Sequence, residues 1–267
     1  METRFTDICS AEDGSATLGR SPDGALFVKE KAGFVPYDFN KMYAGYYPAC
    51  TFTALARAGG LFLLAGQDGE GAPHVFSSLL GGVWEERNLV ARHPLLGERR
   101  AQGRITRILY DGEKGQVFLL CGRQLITLPD CPRCLRITDL AGEGEDAWLE
   151  GREVVIRLRG GGGQRIPLDK VAQYRVSREY LAGLLAQGGL LVDLRALGES
   201  PAGHWEGACS VPMEEAPEWL EGQERERPLV FFCRTGVNAD QMARYARGRG
   251  FTRAYSMGEL DEIAGTL

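Results

Sequence analysis

An apolar run, "LVFF", stops at Cys233, and Arg234, Thr235, Gly236, Val237, Asn238 and Ala239 follow before a stretch with helical spacing. A thiol between a buried strand and a helix is placed for nucleophilic chemistry. In a parallel α/β sheet, ligands bind beyond the carboxyl ends of the strands. Backbone N–H groups at a helix N-terminus point toward such a thiol, or toward an anion bound beside it. That arrangement favours thiolate over thiol. Arg234 adds a cation, and Gly236 lets the backbone curl around the sulfur. The same residues also fit a buried structural cysteine that ends a strand. Residue types and spacing leave both readings open.

The chain has six other cysteines. Cys131 and Cys134 form a Cys-Pro-Arg-Cys pair, a spacing used for redox or sulfur relay and for half a zinc site. A structural zinc needs four ligands, and no second pair of ligating residues follows, so no metal is expected. A thioredoxin-type pair opens a helix, whereas "LRI" after Cys134 reads as strand. A tight turn with its backbone set by Pro132 is the plain alternative. Cys9, Cys50, Cys121 and Cys209 read as small buried hydrophobes. An odd cysteine count in a chain without an export signal argues against a disulfide framework and for a cytoplasmic protein.

The elements that must position Cys233 lie in the last third. "SREYLAGLLAQGG" predicts a helix with Ser177 as N-cap, Leu181, Leu184 and Leu185 on one face, and a stop at Gly188-Gly189. "LLVDLR" (190–195) and "PLVFF" (228–232) predict buried strands, and "EEAPEWLEG" (214–222) a short helix. "ADQMARYARGRG" (239–250) places Ala239, Met242, Ala243 and Ala246 on one helical face. "RAYSM" (253–257) is a third strand, and "ELDEIAG" (259–265) a last helical turn or two. Alternating strands and helices imply βαβ units and a largely parallel sheet.

Residues 1–172 differ. Short apolar runs ("ALFVKE", "LFLLAG", "VFLLCG", "VVIRLRG") alternate with glycine-rich breaks, and partner runs "PHVFSS", "QLITLP" and "QRIPL" follow three of them. The expectation is an all-β domain over 1–172, a propeller or another short-strand architecture, ahead of an α/β domain over 173–267. Residues 60–89 also lay over 116–140, strand for strand. "SSLLGGVW" (77–84) resembles a degenerate Asp-box, the turn of sialidase-type propeller blades. Ser77, Gly81 and Trp84 match it, while Leu79 and Val83 replace the usual aspartate and threonine.

The segment "VDLRALGESPAGHWEGACSVPM" (192–213) resembles the front half of a rhodanese domain. Asp193, Arg195, Glu199, Gly203, His204, Gly207, Ala208, Val211 and Pro212 occupy that family's positions. "CRTGVNA" is similar to its active-site loop, and "GFTRAYSMGELDEI" to its closing strand and helix. The resemblance covers about residues 175–267. It implies sulfur transfer: Cys233 takes a sulfane sulfur from a small donor, thiosulfate or a persulfide, and passes it to a thiol acceptor or partner protein. The N–H groups of Arg234, Thr235, Gly236, Val237, Asn238 and Ala239 would hold the persulfide, and Arg234 and Arg195 would attract the donor. Apart from the resemblance, a relay between the Cys131 and Cys134 pair and Cys233 is an expectation that rests only on two thiol motifs standing in one chain. Asp193, Glu199 and His204 would be structural. No cofactor is implied.

The loop departs from the family pattern at Asn238, where a second arginine is usual, and at Ala239, where a serine is usual. Fewer cations disfavour a dianionic donor and favour a persulfide. Ala239 also fills the place of the arginine that related cysteine phosphatases need for their phosphate clamp. These departures keep a second reading alive, a non-enzymatic binding or sensing module with a ligand-binding β domain. A net charge of −5 without a basic run argues against a nucleic-acid partner, and no apolar stretch reaches membrane-spanning length.

Overall fold

The computed structural model of the 267-residue chain describes residues 4–93, 97–112, 115–128, 135–171, 174–176, 178–196 and 207–257. The chain divides into two units: a β-rich one of Met1–Ala91, Arg99–Leu128 and Arg136–Val171, and an α/β one of Ala172–Leu267 that also takes in Arg92–Glu98 and Pro129–Leu135.

The β-rich unit is built from antiparallel meanders. The first sheet holds β1 (Asp7–Ser10), β2 (Thr17–Arg20), β3 (Leu26–Glu30) and β4 (Gly33–Tyr37), followed by the four-residue helix α1 (Phe39–Met42). The second holds β5 (Cys50–Ala58), β6 (Leu61–Asp68), β7 (Pro73–Ser78) and β8 (Glu85–Arg87). A separate two-stranded sheet joins β9 (Val90–His93) and β10 (Gly97–Arg100). Next come β11 (Ile105–Asp111), β12 (Gln116–Cys121), β13 (Gln124–Leu128) and β14 (Arg136–Asp139), and then β15 (Gly144–Glu150), β16 (Glu153–Leu158) and β17 (Gly163–Pro167). Helix α2 (Leu168–Val171) closes the unit.

The first strands of successive sheets neighbour one another: β5 lies beside β1 and β11, and β11 beside β15. Up-and-down meanders joined through their first strands have the strand order of propeller blades. The expected overlay of 60–89 on 116–140 places β6, β7 and β8 over β12, β13 and β14, the same three positions of two sheets. The strands that pattern reading missed include β5, β11 and β15. Each carries a break in register, at Phe52/Ala54, Ile105/Arg107 and Gly144/Asp146. A bulge interrupts the period-two alternation that marks a strand in sequence.

The Asp-box-like stretch forms the turn between β7 and β8. Trp84 is buried among Phe39 and Phe76, and its indole N–H donates to the Gly81 carbonyl at 3.1 Å. The substituted positions Leu79 and Val83 are exposed. One core cluster joins the first two sheets through Leu26, Phe52, Phe62 and Phe76. Another joins the last two through Phe118, Leu125, Val154 and Ile156.

The α/β unit holds one parallel sheet in the order β19, β18, β20, β21: Ala208–Ser210, Leu190–Asp193, Leu229–Phe232 and Ala254–Ser256. A parallel bridge from Arg175 to Ser256 extends it past β21. Helices α3 (Arg178–Ala186), α4 (Ala216–Glu221) and α5 (Val237–Gly248) connect the strands. Each predicted strand appears where its apolar run stands. Helix α3 buries Leu181 and Leu184 and stops through bonds from the Gly188 and Gly189 N–H groups to Leu185 and Leu184. Helix α5 buries Ala239, Met242, Ala243 and Ala246, the face read from spacing, but starts two residues earlier than that reading. The expected N-cap Ser177 and the expected helix at 259–265 lie outside the described residues. No described helix is long and apolar enough to cross a membrane.

Candidate active site

The sheet order puts a topological switch between β18 and β20, because the chain leaves β18 toward one edge and β20 toward the other. Crevices at such switches, beyond the strand carboxyl ends, are where α/β sheets bind ligands. Cys233 follows β20 at that edge. All four residues of β20 are fully buried, so the apolar run fixes where the cysteine emerges. The thiol itself is 4% exposed and unpaired by any disulfide.

Gly236 caps α5 with φ 79°, a left-handed backbone that costs an L-residue about 1–2 kcal/mol. This turn brings the chain from the strand end into the helix within three residues of Cys233. The first helical bond runs from the Asp240 N–H to the Gly236 carbonyl at 3.0 Å. Among the described residues, the six N–H groups from Arg234 to Ala239 have no acceptor. The last three belong to the first turn of α5, whose orphan donors leave through its N-terminal end. Helix dipole and free donors together suit an anion there.

The expected site residues differ in what they offer. Arg234, Thr235, Val237 and Asn238 are exposed, and Gly236 is half-buried. Ala239 is buried on the core face of α5, so only its N–H is available to a ligand. Arg195 is 7% exposed and is spent internally. Its guanidinium meets the Asp193 carboxylate three times, Nε at 2.9 and 3.0 Å and Nη2 at 2.6 Å. It also stacks 5.8 Å over the ring of Phe232, the residue before Cys233. Asp193 pairs in register with Phe232, and the Leu194 N–H donates to the Phe232 carbonyl at 2.9 Å. The pair therefore braces the end of β18 against the end of β20. Its spacing carried that signal, since residues two apart on an extended segment share a face.

Sequence reading missed Asp240 and Ser256. Asp240, in the first turn of α5, accepts from the Ser256 hydroxyl at 2.7 Å and pairs with Arg244 at 3.2 Å. The first contact ties the helix start to β21. The i, i+4 spacing to Arg244 was legible, but the contact with Ser256 was not.

Burial pushes Cys121 up to about 12 and Cys50 up to about 11. Burial, with Asp7 adding to it, also raises Cys9, which is half-buried. All three are held as thiols, in keeping with the hydrophobic reading. Cys209 on β19 is half-buried and packs against the α/β core. Cys131, Cys134, Glu199, Gly203 and His204 lie outside the described residues. Among the described residues, no group of three His, Cys, Asp or Glu side chains could hold a metal ion.

Comparison with known proteins places this site in context. The rhodanese-like domain profile matches residues 177–259. Thiosulfate sulfurtransferase GlpE of Pseudomonas entomophila is 29% identical over 83 residues, 31% of this chain and 76% of that protein. GlpE of Shewanella oneidensis is 30% identical over 67 residues, 25% of this chain and 66% of its own length. Among solved structures, the human single-domain sulfurtransferase TSTD1 is 28% identical, with 36% of this chain and 99% of that chain covered, at a TM-score of 0.32. The β-propeller domain of Myceliophteria thermophila Cps50 (Swd1) is 12% identical, with 60% of this chain and 52% of that chain covered, at a TM-score of 0.40.

Proposed function

A rhodanese-like domain spans residues 177–259 of this chain, and on that premise we propose that the protein is a sulfurtransferase carrying sulfane sulfur on Cys233. The observation that carries the reading is the thiol at the switch point, followed by six backbone N–H groups without an acceptor among the described residues. Among the described residues these N–H groups are left open to a bound anion, which a purely structural cysteine would not need.

The Cys233 thiolate attacks the outer sulfur of the donor. A new S–S bond forms to Cys233, the donor's own S–S bond breaks, and the leaving group departs with the bonding pair. That group is sulfite from thiosulfate, or a thiolate from a persulfide. The transferred sulfur extends about 2 Å beyond the Cys233 sulfur. There the loop N–H groups hold its negative charge, as an oxyanion hole holds oxygen. An acceptor thiolate then attacks this outer sulfur and leaves as the new persulfide, returning Cys233 as thiolate. Each step is a displacement at sulfur, and no net electron enters or leaves.

Two features favour a thiol persulfide over thiosulfate as donor. Asn238 is neutral, and the Arg195 charge is committed to Asp193. Arg234 is the one cation between Cys233 and Ala239. Free thiols suit a reducing compartment, so we place the reaction in the cytoplasm.

The test is intact mass after incubation with thiosulfate or with glutathione persulfide. Wild type and Cys209→Ser each gain one sulfur atom, and Cys233→Ser gains none. A binding or sensing role is the second reading, favoured by the near-complete burial of the Cys233 thiol. No adduct with either donor would decide for it.

A further inference from the structure

A cavity of about 290 Å³ opens where the end of α4 meets the end of α5. Helix α5 rises about 1.5 Å per residue, so this cavity lies about 12 to 18 Å along it from the Cys233 loop. Its floor is apolar: Leu220 is 2% and Phe251 4% exposed. Its walls carry Arg225, Arg249 and Tyr245.

Both arginines are exposed. Arg249 donates from Nη2 to the Tyr245 hydroxyl at 3.0 Å and lies 5.3 Å over the same ring. Arg225 rests against Gly250, where an added Cβ would come within 2.8 Å of its Nη1. Gly250 has φ 97°, a backbone that calls for glycine. Among the described residues neither arginine meets a carboxylate. Glu221, also on the wall, pairs with neither and leaves the three groups with a net positive charge.

We infer that this cavity is a binding site for a small organic anion, a carboxylate or phosphate monoester on an apolar or aromatic body. Guanidinium forks match carboxylate and phosphate oxygens bidentately. The lining is mixed, and its two guanidinium groups are the polar anchors that would orient a ligand over Leu220 and Phe251. The volume suits a body the size of one aromatic ring.

The experiment titrates the full-length ¹⁵N-labelled protein with phenyl phosphate, benzoate, benzyl alcohol and inorganic phosphate. Phenyl phosphate or benzoate should cause saturable amide shifts confined to Leu220–Arg225 and Tyr245–Phe251. Benzyl alcohol and inorganic phosphate should bind at least tenfold more weakly. Arg225→Gln and Arg249→Gln, each with an otherwise unchanged spectrum, should weaken phenyl phosphate about tenfold, the loss expected for one charged hydrogen bond. The inference is overturned by absence of saturable shifts with both aryl anions. It is also overturned if benzyl alcohol or inorganic phosphate binds equally well, or if neither arginine variant changes the affinity.

Discussion

Surroundings separate one cysteine from another in this chain. Cys121 lies in a closed core with its Sγ 3.3 Å from the Gln102 and Gly103 carbonyl oxygens, and its proton is held up to about 12. Cys233 is nearly as buried, but donors rather than acceptors follow it. The same comparison bears on Asn238, exposed in the first turn of α5. Replacing it with a cation should favour the more highly charged donor. Asn238→Arg is expected to raise kcat/KM for thiosulfate about tenfold, the worth of one charge-assisted hydrogen bond, and to change that for glutathione persulfide less than threefold. An arginine at a helix N-terminus is disfavoured by about 0.3–1 kcal/mol, too little to unfold the helix. Steady-state kinetics with both donors check this, and equal gains for the two would refute the charge argument.

The start of α5 is the element on which the site depends. Gly236 turns the chain there, and the Asp240–Ser256 hydrogen bond fastens the first turn to β21. Gly236→Ala forces a side chain into a left-handed backbone and should cost about 1–2 kcal/mol. It should also remove the sulfur adduct, because relaxing that turn moves the six N–H donors. Gly183, inside α3, is the control: an added Cβ there meets nothing within 4 Å, and alanine suits a helix better by about 1 kcal/mol. Urea unfolding of both variants should give opposite signs. A Gly236→Ala protein with wild-type stability and full adduct would remove the role given to this turn. Elements of this unit were legible because their signals are local, four-residue apolar runs and a repeat of small residues along one face of α5. The bulged strands β5, β11 and β15 were not, since an extra residue shifts the alternation that reveals a strand.

Across the whole molecule, the clearest titrating device lies in the β-rich unit. His74 of β7 bridges two carboxylates, Nε2 to Asp68 at 3.1 Å and Nδ1 to Glu86 at 2.5 Å. Burial opposes its charge, yet the hydrogen bonds it donates to Glu86 and Asp68 outweigh burial and raise its pKa above 6.5. A raised histidine stabilises the fold most below its unfolded pKa of about 6.5, and that stabilisation fades as pH rises through the folded value. The melting temperature of wild type relative to His74→Gln should therefore be highest near or below about pH 6 and fall as pH rises above 6.5, as read by calorimetry. A constant difference would mean that His74 acts through packing alone. The order of residues was enough to place Cys233 at a junction between a buried strand and a helix. Burial periodicity, a turn glycine and a strand-to-helix junction are written within a dozen consecutive positions. It could not assign the charges. Arg195 becomes a brace for Asp193, Asp240 finds Ser256, and Arg225 settles against Gly250. Those outcomes depend on which groups the packed chain brings within hydrogen-bond reach, and that is settled when the strands and helices close on one another.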